Sequence, residues 1–420
     1  VMVKSGFKQT EVGEIPEDWD TARLGEHGRT YGGLSGKSAA DFGQGRAHYV
    51  PFLNVITNSL IRLDQLERVR VDPAEGQNAI QDGDLLFNGS SEVPEEVAMG
   101  CLVSGTSKEV FLNSFCFGYR PSATNPFDGR YLSYLFRSPA GRRVVSTLAQ
   151  GSTRYNISKT ALMRQELPLP PLPEQKRIAE VLSDTDELIE SLERLIAKKQ
   201  LVKLATMDDL LTGKRRLAGF GAEDDEWETT ELGAIGEFGS GSGFPLVHQG
   251  RTEGEYPLFK VSDMNTPGNQ VQMRRAANRI DEGVRSRLGA RAFPAGSVIF
   301  AKVGAAVFLE RKRLLVEPSC LDNNMACFVP GDRVDSTFVH HWLTRFPLSD
   351  LVATTALPSF NARQLRGIEI SLPPLPEQQA IAKVLSDMDE DIEALQQRRD
   401  KTKRVKEALM DELLTGRTRV

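Results

Sequence analysis

The stretch that decides the fold occurs twice in the chain, as PPLPEQKRIAEVLSDTDELIE at residues 170–190 and as PPLPEQQAIAKVLSDMDEDIE at residues 373–393. The two copies stay in register, at an offset of 203, as far as MDDLLTG at 207–213 and MDELLTG at 410–416. Over the 48 positions compared, 28 residues are identical. Self-similarity of this extent indicates an internal duplication within one chain.

Each copy has the signature of one long helix. A proline-rich start is followed by Glu174 in the first turn, where the helix dipole favours an acidic side chain. No glycine or proline then occurs until Gly213, a residue type that commonly caps a helix C-terminus. The predicted helix has about 39 residues and a length of roughly 58 Å. That is far longer than an ordinary core helix.

Apolar residues in each predicted helix alternate at spacings of four and three, which is typical of a coiled coil. These positions are Ile178, Leu182, Thr185, Ile189, Leu192 and Ile196 in the first copy, and Ile381, Leu385, Met388, Ile392 and Leu395 in the second. The natural partner of each helix is the other, and an antiparallel pair would place one globular block at each end. Both seams become polar near Lys199, Lys203 and Arg399, which fits either a solvated stretch or a docking surface.

The remaining sequence consists of short β-prone runs with one helix-prone stretch late in each block. The β-prone runs are 48–55, 84–87, 110–117, 297–303 and 326–329, and the helix-prone stretches are 131–149 and 338–354. The expected fold class is therefore α+β, with two pseudo-repeated globular domains joined by two long antiparallel coiled-coil helices. The expected domains are 1–166 with an N-terminal segment, the first helix 167–217, 218–370 with a linker, and the second helix 371–420.

Composition excludes several classes of protein. Of the 420 residues, 40% are hydrophobic and 26% are charged, which is ordinary for a globular protein. No apolar run approaches the length of about 18 residues that a membrane span needs, and the first residues lack the apolar core of a secretory signal. The four cysteines have no paired spacing, so we expect a reducing, cytoplasmic location.

No motif in the sequence carries catalytic chemistry. The segment GGLSGKS at 32–38 is one residue short of a phosphate-binding P-loop, because Tyr31 stands where the first glycine is required. A nucleophile elbow, an HExxH motif, zinc-ligand spacing and a nuclease carboxylate set are all missing from the sequence. We therefore expect a non-catalytic binding protein that holds neither a metal nor a cofactor of its own.

Clustered arginines point to a nucleic-acid partner. Residues 274–291 include six arginines and only two acidic residues, and residues 311–313 form a second basic cluster. Arginine suits both phosphate contacts and the bidentate reading of guanine. Against this, the net charge is −5, and any single arginine can equally be a solvated surface charge.

Two loops are candidates for facing DNA. Residues 88–96 follow the strand-like 85–87, and residues 302–306 follow the strand-like 298–300, so the two loops are expected to be equivalent. Polar side chains there could bond base edges or phosphates, although a purely structural hairpin fits as well. The candidate DNA-binding residues are Lys37, Arg46, Asn88, Ser90, Ser91, Arg142, Arg143, Arg154, Arg274, Arg275, Arg279, Arg285, Arg287, Arg291, Lys302, Arg311, Lys312 and Arg313.

With these features in view, the chain resembles the specificity subunits of type I restriction-modification systems. The resemblance rests on TEVGEIPEDW at 10–19, the two PPLPEQ helix starts, the two LLTG helix ends, and the alternation of two variable blocks with two similar helices. It implies that each variable block is a target recognition domain for one half of a split DNA site. It also implies that the paired helices set the distance between the two halves.

The resemblance further implies a set of partners. These are double-stranded DNA, two modification subunits that methylate adenine N6 with S-adenosylmethionine, and restriction subunits that use ATP and Mg. The residues themselves leave open a standalone DNA-binding protein and a helical scaffold that binds only protein. An isoelectric point near 5.8 argues against the first, and clustered arginines in divergent blocks argue against the second.

Overall fold

The computed structural model describes residues 5–106, 109–221, 226–352 and 359–420. The chain divides into two units, of which the first comprises Val1–Glu193 together with Gln397–Val420 and the second comprises Arg194–Gln396. The first unit is therefore discontinuous in sequence, and each unit contains part of both long helices.

The two long helices are Leu172–Leu211, with 40 residues, and Leu375–Leu413, with 39 residues. Both begin within the proline-rich starts. They end shortly before Gly213 and Gly416, which adopt a positive φ of 70° and so stop the helix. The structure confirms the predicted lengths and ends. Within the described ranges, no helix is both long and apolar enough to cross a membrane.

The two helices run antiparallel within each unit, as the order of their contacts shows. In the first unit, Ile178 and Leu182 share a core with Met410 and Leu413. In the second unit, Met207 and Leu210 share a core with Ile381 and Leu385. The ion pairs that join the helices are Lys406–Asp186 at 2.6 Å and Lys403–Glu193 at 2.7 Å in the first unit, and Lys199–Asp391 at 2.6 Å and Lys203–Asp389 in the second.

The predicted seam positions of both helices are buried or half-buried, which confirms the coiled-coil pattern. The polar stretch of the seam is occupied by ion pairs between the helices. Lys203 is half-buried there, and its ammonium group pairs with Asp389 across the seam. The stretch is thus a charged layer within the helix pair.

The globular part of the first unit is built on an antiparallel sheet in the order Gly28–Gly32, Cys116–Pro121, Leu85–Asn88 and Cys101–Leu102. Its other strands are Phe7–Thr10, Gly13–Pro16, Asp20–Arg23, Phe42–Val50, Glu67–Val69, Ser90–Ser91, Val110–Leu112, Ala149–Gln150, Tyr155–Ile157 and Glu166–Leu169. Its helices are Phe52–Thr57, Gly129–Arg137, Pro139–Ser146 and Lys159–Arg164.

The globular part of the second unit has a sheet in the order Gly236–Ser240, Met325–Pro330, Val298–Ala301, Lys312–Leu315 and Gln272–Met273. Its other strands are Glu228–Glu231, Tyr256–Phe259, Arg279–Ile280, Cys320–Leu321 and Glu369–Leu372. Its helices are Leu232–Ile235, Glu282–Leu288, Ser336–Arg345 and Ala362–Arg366.

The two units repeat one plan. In each, the first three strands of the main sheet pair antiparallel, with the strand that comes last along the chain in the middle. The first unit has one parallel strand pair among its described strands, and the second has two. In each, the strand before the long helix pairs with a strand near the start of the same block, namely Glu166–Leu169 with Asp20–Arg23 and Glu369–Leu372 with Glu228–Glu231. The predicted α+β class with two pseudo-repeated domains is therefore confirmed.

Several local predictions were wrong. The run 48–55 is a strand only as far as Val50, after which residues 52–57 form a short helix. The run 110–117 is divided by a turn into parts of two strands. The stretch 131–149 contains two helices, because Pro139 lacks the N–H that would extend the first helix and instead begins the second.

Candidate nucleic-acid interface

A buried glutamate at the start of each long helix joins three parts of its unit. The carboxylate of Glu174 accepts hydrogen bonds from Trp19 Nε1 at 3.0 Å and from Arg419 Nε at 2.5 Å. The tryptophan lies at the beginning of the variable block, and the arginine follows the end of the other helix. The glutamate therefore ties the globular part to both helices.

The second unit repeats this arrangement with the roles of the helices exchanged. Glu377 accepts from Trp227 Nε1 at 3.0 Å and from Arg216 Nε at 2.5 Å. Here the glutamate belongs to the second helix and the arginine follows the first. The repeated PPLPEQ and LLTG motifs are thus explained by a contact that each copy makes with the other.

The glutamine of each PPLPEQ motif fixes the long helix to a second helix of the globular part. Gln175 Nε2 donates to the carbonyl oxygens of Pro170 at 2.9 Å and Pro126 at 3.1 Å, and its Oε1 accepts from Asp128 N at 2.7 Å. Asp128 in turn caps the helix Gly129–Arg137. Gln378 makes the corresponding bonds to Pro373, Arg333 and Asp335.

Some of the candidate DNA-binding residues serve the interior of their unit. Arg142 donates to four backbone carbonyls, those of Glu95, Val97, Ala98 and Phe136, and burial lowers its pKa to about 10. Arg313 donates to the carbonyls of Asn269 and Lys312, and burial likewise lowers its pKa to about 10. Lys312 is buried, donates to Phe346 O at 3.0 Å and pairs with Glu310.

The polar residues of the loop 88–96 mainly hold that loop together. Asn88 is buried, its Nδ2 donates to Ser90 O and Glu96 O, and its Oδ1 accepts from Met99 N at 2.7 Å. Ser91 Oγ donates to Glu96 Oε2 at 3.0 Å. Ser90 and Ser91 are buried and form a short strand that pairs with Tyr155 and Asn156.

A further group of candidates already has a side-chain partner, either a carboxylate or a neutral amide. Its members and partners are Lys37 with Glu75, Arg279 with Glu317, Arg285 with Glu282, Arg291 with Glu237, Arg274 with Gln272 and Arg311 with Asn265. The six arginines of 274–291 do not lie on one element, since they are spread over a loop, a strand and a short helix.

The charged groups of the remaining candidates form no ion pair among the described residues. In the described part of the chain, the side chains of Arg46, Arg143, Arg275, Arg287 and Lys302 make no hydrogen bond or ion pair; the four arginines are exposed, and Lys302 is half-buried. Arg154 is exposed, and its Nε donates to Ser90 Oγ at 3.2 Å. These six residues are the cations best placed to meet an anionic partner.

Comparison with known proteins decides the family. Residues 78–199 and 224–404, together more than half of the chain, match the model of the type I restriction modification DNA specificity domain. The chain belongs to this specificity-domain family. It is 28% identical over 437 residues to the MjaX type I restriction enzyme specificity subunit of Methanocaldococcus jannaschii, with 99% of this chain and 97% of that protein covered.

Solved structures of type I specificity subunits share the fold. The S subunit from M. genitalium superposes with a TM-score of 0.58 at 14% identity, covering 98% of both chains. A chain from a structural study of complex assembly in the type I R-M system superposes with a TM-score of 0.57 at 17% identity, covering 96% of this chain and 99% of that one. Specificity subunits are the non-catalytic, DNA-recognising components of these systems, which agrees with the absence of catalytic motifs from this sequence.

One exposed residue of this specificity-domain protein was missed by the sequence analysis. Phe115 lies in a turn between two strands of the first unit with 57% of its surface exposed. The guanidinium of Arg154 lies 5.3 Å from the centroid of its ring. The only sign of a turn in the sequence is the polar pair Asn113 and Ser114 before this phenylalanine. The hydrophobic character of Phe115 placed it in the predicted strand 110–117 instead.

Proposed function

We propose that this chain reads an asymmetric, two-part sequence in double-stranded DNA and docks the subunits that modify and restrict that DNA. In this proposal residues 1–166 and 218–370 contain the two target recognition domains, and residues 167–217 and 371–420 are the helical spacers. The observation that carries the proposal is the repetition of one fold with two different surfaces in a member of the specificity family.

The asymmetry of the target follows from the surfaces. The two units share strand order and the glutamate contact, but the cations available on them differ in position. Arg154 lies in the first unit beside Phe115. In the second unit, Arg275 lies in the loop between the strands Gln272–Met273 and Arg279–Ile280, and Arg287 lies in the helix Glu282–Leu288. Different side chains on equivalent scaffolds read different bases, so the two half-sites should differ.

The spacer role rests on the helices. Each is a continuous helix that passes from one unit to the other, and a helix of 40 residues has a length of about 60 Å. Half-sites read from one face of B-DNA lie about 34 Å or a multiple of it apart. Stiff paired helices of this length are suited to keeping such a spacing constant.

The chemistry belongs to the partners. Two modification subunits would use S-adenosylmethionine to methylate adenine N6, and restriction subunits would use ATP and Mg for translocation and cleavage. A structural neighbour comes from work on the assembly of a type I system, which supports a docking role. Within this chain, the residues bind and orient the DNA, while the target adenine leaves the base stack for the methyltransferase.

The experiment is methylation profiling in a methylation-free host. This chain is expressed together with its modification subunit, and modified adenines are mapped by single-molecule sequencing. We expect one asymmetric two-part motif with a fixed spacer, and none when the modification subunit is expressed alone. If both proteins are soluble and associated and yet no motif appears, the proposal is wrong and a scaffold or a standalone DNA-binding role is favoured.

A further inference from the structure

A turn of the first unit, residues 113–115, is held by three hydrogen bonds, one of which uses the side chain of Asn113. Phe115 N donates to Asn113 Oδ1 at 2.9 Å, and Cys116 N donates to Asn113 O at 3.0 Å. Phe115 O accepts from Gly89 N at 2.8 Å. The turn is therefore fixed at both of its ends, and the backbone position of Phe115 does not depend on its side chain.

The second unit contains the same turn, bond for bond. Asn324 N donates to Asp322 Oδ1 at 3.1 Å, and Met325 N donates to Asp322 O at 3.1 Å. Asn324 O accepts from Lys302 N at 2.9 Å. The turns lead into equivalent strands, Cys116–Pro121 and Met325–Pro330, so Phe115 and Asn324 occupy the same place in the two units.

The two turns differ in the side chain that they present. Phe115 is exposed, and its ring lies under the guanidinium of Arg154, which Ser90 holds by a hydrogen bond at 3.2 Å. Asn324 is exposed, and its Nδ2 donates to Asp322 Oδ2 at 3.3 Å, near the long limit for such a bond. One turn thus offers an apolar surface beside a cation, and the other offers an amide.

The turns also adjoin the loops that were candidates for facing DNA. Gly89 and Lys302 bond the two turns through their backbone N–H groups, and they begin the loops that follow the strands Leu85–Asn88 and Val298–Ala301. A rigid scaffold that carries a different residue at one fixed position is suited to reading different bases in two half-sites.

We propose that this turn reads a base in each half-site, and that Phe115 contacts the 5-methyl group of a thymine while Asn324 bonds the edge of an adenine. An apolar ring is a known complement of the thymine methyl in the major groove, and asparagine matches N6 and N7 of adenine. Arg154 supplies positive charge for the phosphates beside the thymine. The inference rests on the proposed function of this chain as a reader of two half-sites.

The first test removes only the methyl group. The complex of this chain with its modification subunits is bound to DNA that contains the motif identified by methylation profiling. Its affinity is measured with each thymine of that motif replaced in turn by deoxyuridine. We expect about a fourfold loss of affinity at one thymine, which is the value of a single buried methyl group. Phe115→Asn should abolish this loss, whereas Phe115→Leu, which keeps an apolar side chain, should retain part of it.

The second test compares matched variants by methylation profiling. Phe115→Asn should change one half-site and leave the other intact, and Asn324→Phe should change only the opposite half-site. The deoxyuridine effect should persist in Asn324→Phe. Unchanged half-sites in both variants, or a deoxyuridine effect that survives Phe115→Asn, would overturn the inference. Failure of the proposed function is distinct, because the wild-type chain would then give no two-part motif at all.

Discussion

At the scale of single residues, one buried position differs between the two units in a way that affects stability. Tyr134 Oη donates to Asp186 Oδ2 at 2.9 Å. At the same helical position in the second unit, His341 Nδ1 lies 4.0 Å from Asp389 Oδ2. Neither ring nitrogen of His341 has a hydrogen-bond partner among the described residues. Such a buried, unsatisfied polar group costs stability.

This difference predicts an acid sensitivity of the second unit. Burial lowers the pKa of His341 to about 2 and that of His340 to about 4. Unfolded histidine takes up a proton near pH 6.5, so stability is retained above that pH and falls as the pH drops towards the folded values. Each such group lowers the free energy of unfolding by roughly 1 kcal/mol per pH unit in that range.

We expect His341→Tyr to stabilise the chain by about 1 kcal/mol at neutral pH, because a hydroxyl there could bond Asp389 as Tyr134 bonds Asp186. His341 and Asp389 both line a cavity of about 920 Å³. Urea unfolding between pH 7.5 and pH 5 checks both effects, and the variant should lose less stability on acidification. Tyr134→Phe is the control that removes a hydroxyl bond without adding a titrating group. Parallel pH curves for wild type and His341→Tyr would contradict the prediction.

The individual contacts were also the part of the molecule that sequence predicted least well. Nothing in the sequence next to Arg142 and Arg313 shows that folding surrounds both side chains with backbone carbonyls. Residue type predicts which groups can bind phosphate or bases. Whether those groups instead form hydrogen bonds within the protein depends on which distant segments pack together in the fold.

At the scale of elements, a helix or strand was predicted correctly from the sequence where residues close together in the chain determine it. The long helices were predicted within a few residues because their spacing, their prolines and their terminal glycines are all local signals. The short strands were not, since Cys116–Pro121 is defined by pairing with Gly28–Gly32, almost 90 residues earlier. The turn at 113–115 was not predicted either, because its bond to Gly89 also joins segments that are distant in the sequence.

The helices also carry a prediction about spacing. Insertion of seven residues after Glu193 and seven after Gln396 keeps the heptad pattern of both helices and lengthens each by about 10.5 Å. We expect the spacer of the methylated motif to grow by about three base pairs, with both half-sites unchanged. Methylation profiling of the lengthened chain measures this directly.

A one-sided insertion is the matched control for that experiment. Lengthening only the first helix makes the two helices unequal between the ion pairs of the first unit and those of the second, so both sets of pairs cannot be kept. This insertion should therefore destabilise the chain and not yield a defined new spacer. A lengthened pair that folds and still methylates the original spacing would refute the role of the helices in setting that distance.

At the scale of the whole molecule, the chain contains one design twice, with the helices exchanging roles between the two units. Trp19, Glu174 and Arg419 form the contact of the first unit, and their counterparts form that of the second. The variable blocks are therefore attached to the helices by equivalent bonds. A block should be replaceable by its counterpart without disturbing these bonds.

Replacement of residues 227–372 by a copy of residues 19–169 tests this equivalence. The copied block brings Trp19 and the strand Glu166–Leu169 to the places of Trp227 and Glu369–Leu372, so both glutamate contacts are preserved. We expect the methylated motif to become a palindrome with two copies of one original half-site. A folded, associated chain that yields an asymmetric motif would show that the blocks are not equivalent readers.

The discontinuity of the first unit has a consequence for synthesis on the ribosome. Ile178 and Leu182 need Met410 and Leu413 to complete their core, and these partners emerge more than 200 residues later. At 5–20 residues per second, the delay is roughly 10–50 s. The second unit is continuous from Arg194 to Gln396, so the half of the protein that is translated later is the one whose core can close first.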